Sequence, residues 1–316
     1  MAQAAQDIVI IGAGTAGLTA ARVAAAAGAA VLVIERLGPG GQVSTIDRIT
    51  NFPGHDEIAG YELGPTLQEA AEEAGASLRL AEVQRVDHRS GLWHLDTSDG
   101  PVVARSVIAA CGSSRRTLGI PGEAEFAGRG VSHCASCDGA FFRGQTVVVV
   151  GGGDSALDEA LVLAPLVDRL LVVHRGTTLG ATQGQAAVLA TRPNVEILLQ
   201  HEITGVVGGA HGMAGVTLRQ RQSGALDARS AAGLFVYVGL SPNTDALADV
   251  AACDAAGRLI VNEALATDAP GLFAAGDLRT GSQRTLDEAV RDGERAAKAA
   301  LAWLQTEETA GSQEDA

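Results

Sequence analysis

The sequence predicts an α/β chain built from two doubly wound units of similar design. Three observations carry that expectation. A β-branched run, Asp7-Ile8-Val9-Ile10-Ile11, leads straight into a glycine turn and then an alanine-rich stretch. The same pattern returns 139 positions later. In both copies a second apolar run follows the helix, and strand, helix, strand in that order is the βαβ unit of a parallel sheet.

In the first copy the turn is Gly12-Ala13-Gly14-Thr15-Ala16-Gly17, the helix runs to about Ala27 and stops at Gly28, and the strand 30–34 ends at Glu35. A GxGxxG turn between strand and helix, with an acidic residue about 20 positions on, is the dinucleotide-binding fingerprint. The spacing has a chemical reason. Gly12 permits the tight turn, Gly14 lets a pyrophosphate approach the backbone, and Gly17 lets the helix pack on the strand. The helix start then offers free N–H groups and a positive dipole end to the phosphates. Glu35 accepts hydrogen bonds from an unphosphorylated ribose, as in FAD or NAD.

In the second copy the strand 147–150 precedes Gly151-Gly152-Gly153-Asp154-Ser155-Ala156, a helix begins at Leu157, and the strand 170–173 ends at His174. Gly12, Gly14, Gly17 and Glu35 fall on Gly151, Gly153, Ala156 and His174 at one common offset. Two unrelated glycine turns would not reproduce it out to the end of the second strand. His174-Arg175 puts neutral or cationic groups where the first copy has Glu35, which suits a 2′-phosphate or at least does not favour NAD. One flavin dinucleotide site and one nicotinamide dinucleotide site describe a flavoprotein reductase.

Composition narrows the class further. The 316 residues are 47% hydrophobic and 19% charged, enough apolar material for two cores and too little charge for a disordered chain. Twenty-three basic residues against 37 acidic ones give a net charge of −14, which disfavours nucleic acid or an anionic membrane as partner. No basic segment with a hydrophobic core and cleavage site opens the chain, and the early apolar stretch is broken by Arg22 and Gly28, so no membrane span and a cytoplasmic location are expected. The polar residues 307–316 read as a loose tail.

Four cysteines in a chain this long are no disulfide scaffold. Two of them form Cys134-Ala135-Ser136-Cys137, ten residues ahead of the second glycine-turn strand. In an α/β protein CxxC reads first as a redox dithiol. A zinc site needs four ligands, and no second CxxC or HxxxH completes the set, so no metal is expected. Asp138 could give or take the proton as thiolate forms, although Asp138-Gly139 is also a common turn pair. His133 reads as a polar loop residue. Cys111 and Cys253 lie among small apolar residues and read as inert buried side chains. Phe141 and Phe142 offer either apolar docking surface or core packing.

Taken together, these motifs resemble the low-molecular-weight thioredoxin reductases of the pyridine nucleotide-disulfide oxidoreductase superfamily, from about residue 7 to 304. Gly40-Gly41-Gln42 and Asn51-Phe52-Pro53-Gly54 resemble the flavin-side loops. Gly128-Arg129-Gly130-Val131-Ser132, then Cys134 through Gly139, is similar to the redox motif, and Gly151 to Ala156 to the nucleotide turn. Gly239 to Thr244 resembles the return segment, and Gly271-Leu272-Phe273-Ala274-Ala275-Gly276-Asp277 the late flavin motif.

The resemblance implies a split FAD-binding domain, residues 1–114 and 245–316, with an NAD(P)-binding domain, 115–244, inserted. It places Gly12, Ala13, Gly14, Thr15, Ala16, Gly17, Glu35, Gly40, Gly41, Gln42, Asn51, Gly112, Gly276, Asp277, Arg284 and Thr285 around FAD. It places Gly151, Gly153, Asp154, Ser155, Ala156, His174 and Arg175 around NADPH or NADH. Cys137 would lie nearer the flavin, Cys134 would attack the partner disulfide, and Asp138 would be the acid–base group. A homodimer is implied, with thioredoxin or a similar dithiol protein, or a small disulfide, as partner. Dithiol and nicotinamide site share the inserted domain yet must both reach one flavin ring, so alternation by domain rotation is expected, with hinges near 115–117 and 240–243.

Two departures bear on this expectation. Gly176 and Gly180 stand where the family carries phosphate-binding arginines, and a charge-assisted bond to phosphate is worth about 1.5–3 kcal/mol. NADPH against NADH therefore stays open. Thr285 stands where a glutamine usually meets the flavin ring. The expected activity is transfer of electrons from NAD(P)H through FAD and Cys134/Cys137 to a protein disulfide. The alternatives are a dithiol oxidase using oxygen and a flavoprotein reductase with a non-nicotinamide donor.

Overall fold

The branched side chains of Ile8, Val9, Ile10 and Ile11 crowd a helix but fit a pleated strand, and all four are buried in β1 (Gln6–Ile11). The computed structural model describes residues 5–180 and 184–314. Its chain divides into one unit formed by Met1–Ser114 with Ser241–Ala316 and a second formed by Arg115–Leu240.

In the first unit β1 is followed by α1 (Thr15–Ala26), β2 (Val31–Glu35), α2 (Gly60–Glu73) and β3 (Ser77–Leu80). A hairpin, β4 (Val83–Arg89) and β5 (Leu92–Thr97), then leads to β6 (Val102–Ala109). The strand order is β3-β2-β1-β6-β5-β4, with β3, β2, β1 and β6 parallel. Ile11 lies opposite Ile34 on one side and Ala109 on the other. At β1 the sequence order reverses, and outside the carboxyl ends of strands at such a point a crevice opens.

The chain leaves this unit through β7 (Ser113–Arg115) and enters β8 (Val131–Ser132), the short α3 (Ala135–Asp138), β9 (Thr146–Val150), α4 (Asp154–Leu163), β10 (Arg169–His174), α5 (Gln185–Ala190) and β11 (Val195–Leu199). An antiparallel sheet, β12 (His201–Gly209), β13 (Gly212–Gln220) and β14 (Leu226–Ser230), precedes β15 (Gly233–Val236). The main sheet of this unit is parallel throughout, in the order β11-β10-β9-β15-β8, so the reversal falls at β9. Val147 to Val150 are buried at its centre, each contributing about 1.5–3 kcal/mol relative to exposure.

The chain returns through β16 (Leu240–Pro242) to β17 (Leu272–Ala274), which pairs with the second half of β6, and ends in α6 (Leu286–Glu314). α6 lies close on α1 because small residues meet there: a Cβ on Gly293 would stand 2.3 Å from the Ala16 carbonyl oxygen. Both units are α/β with parallel sheets, as the sequence predicts.

Three expectations need correction. The residues read as a loose tail continue α6 to Glu314, with 315 and 316 outside the described residues. Gln305, Glu307, Glu308 and Ala310 are good helix formers, and one glycine costs about 1 kcal/mol against a helix already running. Cys253 is exposed, because its segment is an irregular edge in which only Ala251 turns inward. Cys111 is half-buried at the end of β6, and burial pushes its thiol up to about 12, so it is protonated at neutral pH.

Candidate functional site

In the first unit the glycine turn is held by backbone contacts that leave no room for side chains. Gly12 has φ +104°, and a Cβ there would lie 2.5 Å from the Ala110 carbonyl oxygen. A Cβ on Gly17 would lie 1.9 Å from the Gly12 carbonyl oxygen. Around the corresponding position on Gly14 no atom lies within 4 Å. The turn is thus closed on its inner side and open at Gly14, as a backbone that receives a phosphate requires.

Glu35 closes β2 onto the turn. One carboxylate oxygen accepts from the Ala13 N–H at 2.8 Å and the other from the Leu37 N–H at 2.9 Å. Each oxygen keeps a further lone pair for a ribose hydroxyl. Gly40 donates to the Ala13 carbonyl at 2.8 Å, which lays the Gly40-Gly41-Gln42 loop over the turn. A crevice of about 250 Å³ opens beside it, lined among others by Gly12, Glu35, Cys111, Asn243 and Asp245.

Gln42 and Asp277, far apart in sequence, meet directly, the amide donating to the carboxylate at 3.4 Å, and through Ser113. The Gln42 amide donates to the Ser113 carbonyl and hydroxyl, both at 2.9 Å, and that hydroxyl donates to Asp277 at 3.0 Å. Gly276 donates its N–H to Asp292 at 2.9 Å. Asp292, fully buried, is paired with Arg279 at 2.5 Å, and Arg279 reaches Glu288 at 2.9 Å. Ser113, Arg279, Glu288 and Asp292 hold the late motif in place. None carries a local pattern in the sequence that marks this work.

Gly112, with φ +62°, adjoins the same cluster. Asn51, Arg284 and Thr285 are exposed. Thr285 immediately precedes α6, where its carbonyl accepts from Ala289 and its hydroxyl bonds Asp287 at 2.5 Å.

The second unit repeats the closed turn. Gly151, at φ +148°, would set a Cβ 2.4 Å from the Tyr237 carbonyl oxygen, while Gly153 has open space. Asp154, Ser155 and Ala156 begin α4. The His174 ring abuts Gly152, where a Cβ would stand 2.3 Å from its Nδ1, and Gly176, where a Cβ would stand 2.6 Å from its Nε2. Burial holds the imidazole below its usual value, the Arg175 charge adds to that against a backbone hydrogen bond at Thr178, and the ring is neutral at pH 7. Arg175 is exposed.

Cys134 and Cys137 are joined in a disulfide at the start of α3. Cys134 is half-buried and Cys137 exposed. The Cys137 N–H donates to the Cys134 sulfur at 3.2 Å. Ser132, buried at the end of β8, accepts from the Cys134 N–H at 3.1 Å and donates to Asp138 at 2.6 Å. The Ala135 N–H is shared between Glu159 on α4 at 2.8 Å and the Tyr237 hydroxyl at 3.0 Å. Burial and the Glu159 charge push the Tyr237 hydroxyl well up, so it stays a neutral donor.

His133 binds the Val236 carbonyl at 3.1 Å, a loop anchor. Of the two phenylalanines, Phe142 packs edge-on against Phe235 in the core and Phe141 stands 78% exposed. Among the described residues no group of three or more His, Cys, Asp or Glu side chains is placed to hold a metal ion, and no helix is long and apolar enough to cross a membrane.

Residues 6–293 match the family described as pyridine nucleotide-disulphide oxidoreductase. The thioredoxin reductase of Treponema pallidum is 39% identical over 95% of this chain and 97% of its own, and that of Listeria monocytogenes 36% identical over 95% and 94%. Among solved structures, Lactococcus lactis thioredoxin reductase superposes with a TM-score of 0.87 at 34% identity, covering 95% of this chain and 99% of that one. Thioredoxin reductase of T. acidophilum superposes at 0.83 and 30% identity, with 95% and 99% covered. With two glycine turns at parallel-strand ends and, between them in sequence, a disulfide joining cysteines three positions apart, the chain belongs to the pyridine nucleotide-disulphide oxidoreductase family.

Proposed function

We propose that the protein is a disulfide reductase that takes electrons from a nicotinamide nucleotide and delivers them to thioredoxin or a similar dithiol protein. The Cys134–Cys137 disulfide, set in the same unit as the second glycine turn, carries this reading. Relatives named thioredoxin reductase, matched almost end to end, support it, and do not favour oxygen or another donor in place of the nicotinamide.

The residues of both turns fit a dinucleotide, closed at Gly12 and Gly151 and open at Gly14 and Gly153. FAD is assigned to the first unit, through Gly12 to Gly17, Glu35, the Gly40-Gly41-Gln42 loop and Asp277. The nicotinamide nucleotide is assigned to the second, through Gly151 to Ala156, His174 and Arg175. Bound flavin supplies the exchange between a two-electron hydride donor and the disulfide.

The chain's own residues do the rest. Two electrons and two protons convert the disulfide to a pair of thiols. The Cys137 N–H, aimed at the Cys134 sulfur, favours the thiolate there. That thiolate attacks the partner disulfide, one partner sulfur leaves and takes a proton, and the Cys137 sulfur then attacks Cys134, re-forming their disulfide and releasing the second partner sulfur, which takes the proton Cys137 gives up. Asp138, fixed by Ser132, is the group that gives and takes protons beside the pair. Glu159 and Tyr237 hold the start of α3 while sulfur–sulfur bonds change. We assign the enzyme to the cytoplasm as a homodimer, on the family resemblance of its motifs.

Anaerobic mixing with NADPH or NADH, followed at the flavin band and then by oxidised thioredoxin, tests the reading. Rapid bleaching and recovery on thioredoxin addition are expected. A flavin that neither nucleotide reduces, but a free dithiol does, would overturn it.

A further inference from the structure

The carboxyl end of the second strand in a dinucleotide fold is where the adenosine ribose is read: a carboxylate there selects the free 2′-hydroxyl, a guanidinium the 2′-phosphate. Residues 174–180 contain no acid and one arginine, Arg175. A second guanidinium reaches this loop from the antiparallel sheet. Arg221, just after β13, donates from Nη1 to the Arg175 carbonyl at 3.2 Å. Its own N–H is fixed to the Gln200 carbonyl at 2.8 Å, and the Gln200 N–H is fixed to the Gly176 carbonyl at 2.9 Å. Arg221 is therefore tied by backbone bonds to the very loop that lacks arginines at 176 and 180.

The charge around it favours an anion. Its carboxylate partner is Glu202, bound by Arg219 at 2.5 Å and 4.0 Å from Arg221. Arg219 and Arg221 share the one carboxylate of Glu202, which leaves this pair with a net positive charge in a chain whose formal charge is −14. The neutral His174 ring, folded on Gly152, fills space without adding charge.

We propose that Arg221 is a specificity-determining residue: with Arg175 it holds the 2′-phosphate of the adenosine ribose, so that NADPH is preferred over NADH. The inference rests on the reading of the second unit as a nicotinamide-nucleotide site. Guanidinium groups bind phosphate through paired, charge-assisted hydrogen bonds, and a planar fork anchored near the loop is suited to this.

The test uses the flavin-loaded full chain with R221Q and R221E, and two fragments, adenosine 2′,5′-bisphosphate and 5′-AMP, titrated by calorimetry. The unsubstituted protein is expected to bind the bisphosphate about 10-fold or more tightly than 5′-AMP. Each substitution is expected to erase that difference while 5′-AMP affinity holds, and to lower the NADPH-to-NADH ratio of kcat/KM by a similar factor. Equal binding of the two fragments by the unsubstituted protein, or an unchanged bisphosphate affinity in R221E, overturns the role of Arg221. If neither nicotinamide bleaches the flavin, the reductase reading falls, and the fragment titration still decides whether Arg221 grips a 2′-phosphate.

Discussion

Gly180 donates its backbone N–H to the carbonyl of Gly152 at 2.7 Å, and the same bond recurs in the other unit between Gly40 and Ala13 at 2.8 Å. The repeat thus extends past the second strand into the loop that folds back over each turn. The partners differ in what fills the adjoining space. At Ala13 the backbone N–H meets the Glu35 carboxylate; at Gly152 the neutral His174 ring lies against the Cα. The second strand of the repeat thus ends in a carboxylate in one copy and in a neutral imidazole in the other.

Gly17 and Gly14 of the first turn have separable roles. Gly17→Ala forces a methyl to 1.9 Å from a carbonyl oxygen, and is expected to cost more than the about 1–3 kcal/mol of ordinary overpacking. Gly14→Ala meets no atom within 4 Å, so it is expected to keep its melting temperature and lose flavin. Thermal melts read beside the ratio of flavin to protein absorbance check both.

Asp292→Asn leaves Arg279 short of its main partner in a buried setting. A loss of about 3–5 kcal/mol is expected in urea unfolding, because the guanidinium stays desolvated without full compensation. A loss under 1 kcal/mol would mean that Glu288 alone suffices.

His174 makes stability depend on pH. Its imidazole titrates lower in the folded protein than in the unfolded chain, so between the two values the unfolded state binds more protons. This contribution is complete above the unfolded value near 6.5 and is lost as pH falls through the folded one. Melting temperature should rise from pH 5 to 7, and His174→Gln should flatten that slope.

Cys134→Ser and Cys137→Ser should each abolish thioredoxin reduction while leaving flavin reduction by the nicotinamide intact. They should differ in trapping. Cys137→Ser is expected to accumulate a mixed disulfide through Cys134, seen on a non-reducing gel. Since Cys137 is the more exposed residue of the pair, accumulation with Cys134→Ser instead would exchange the two roles.

Ser132→Ala removes the hydroxyl that joins Asp138 to the Cys134 backbone. About a 10-fold fall in disulfide turnover is expected, smaller than the about 10²–10⁴ that a proton-transfer group itself contributes. Single-turnover flavin reduction should not change.

The amino-acid sequence by itself determined both glycine turns, both βαβ units and the vicinal dithiol, because each is a local pattern: branched residues in series, glycines at fixed offsets, cysteines three apart. Only the tertiary structure decided the rest. It brought Ser113 between Gln42 and Asp277, buried Asp292 behind Gly276, set Arg221 on the loop after β10, and divided Phe141 from Phe142. Those outcomes depend on residues up to 235 positions apart and on which face of a strand or loop meets a neighbour. Local spacing holds no record of either, since burial and hydrogen bonding at such distances are settled by packing the whole unit at once.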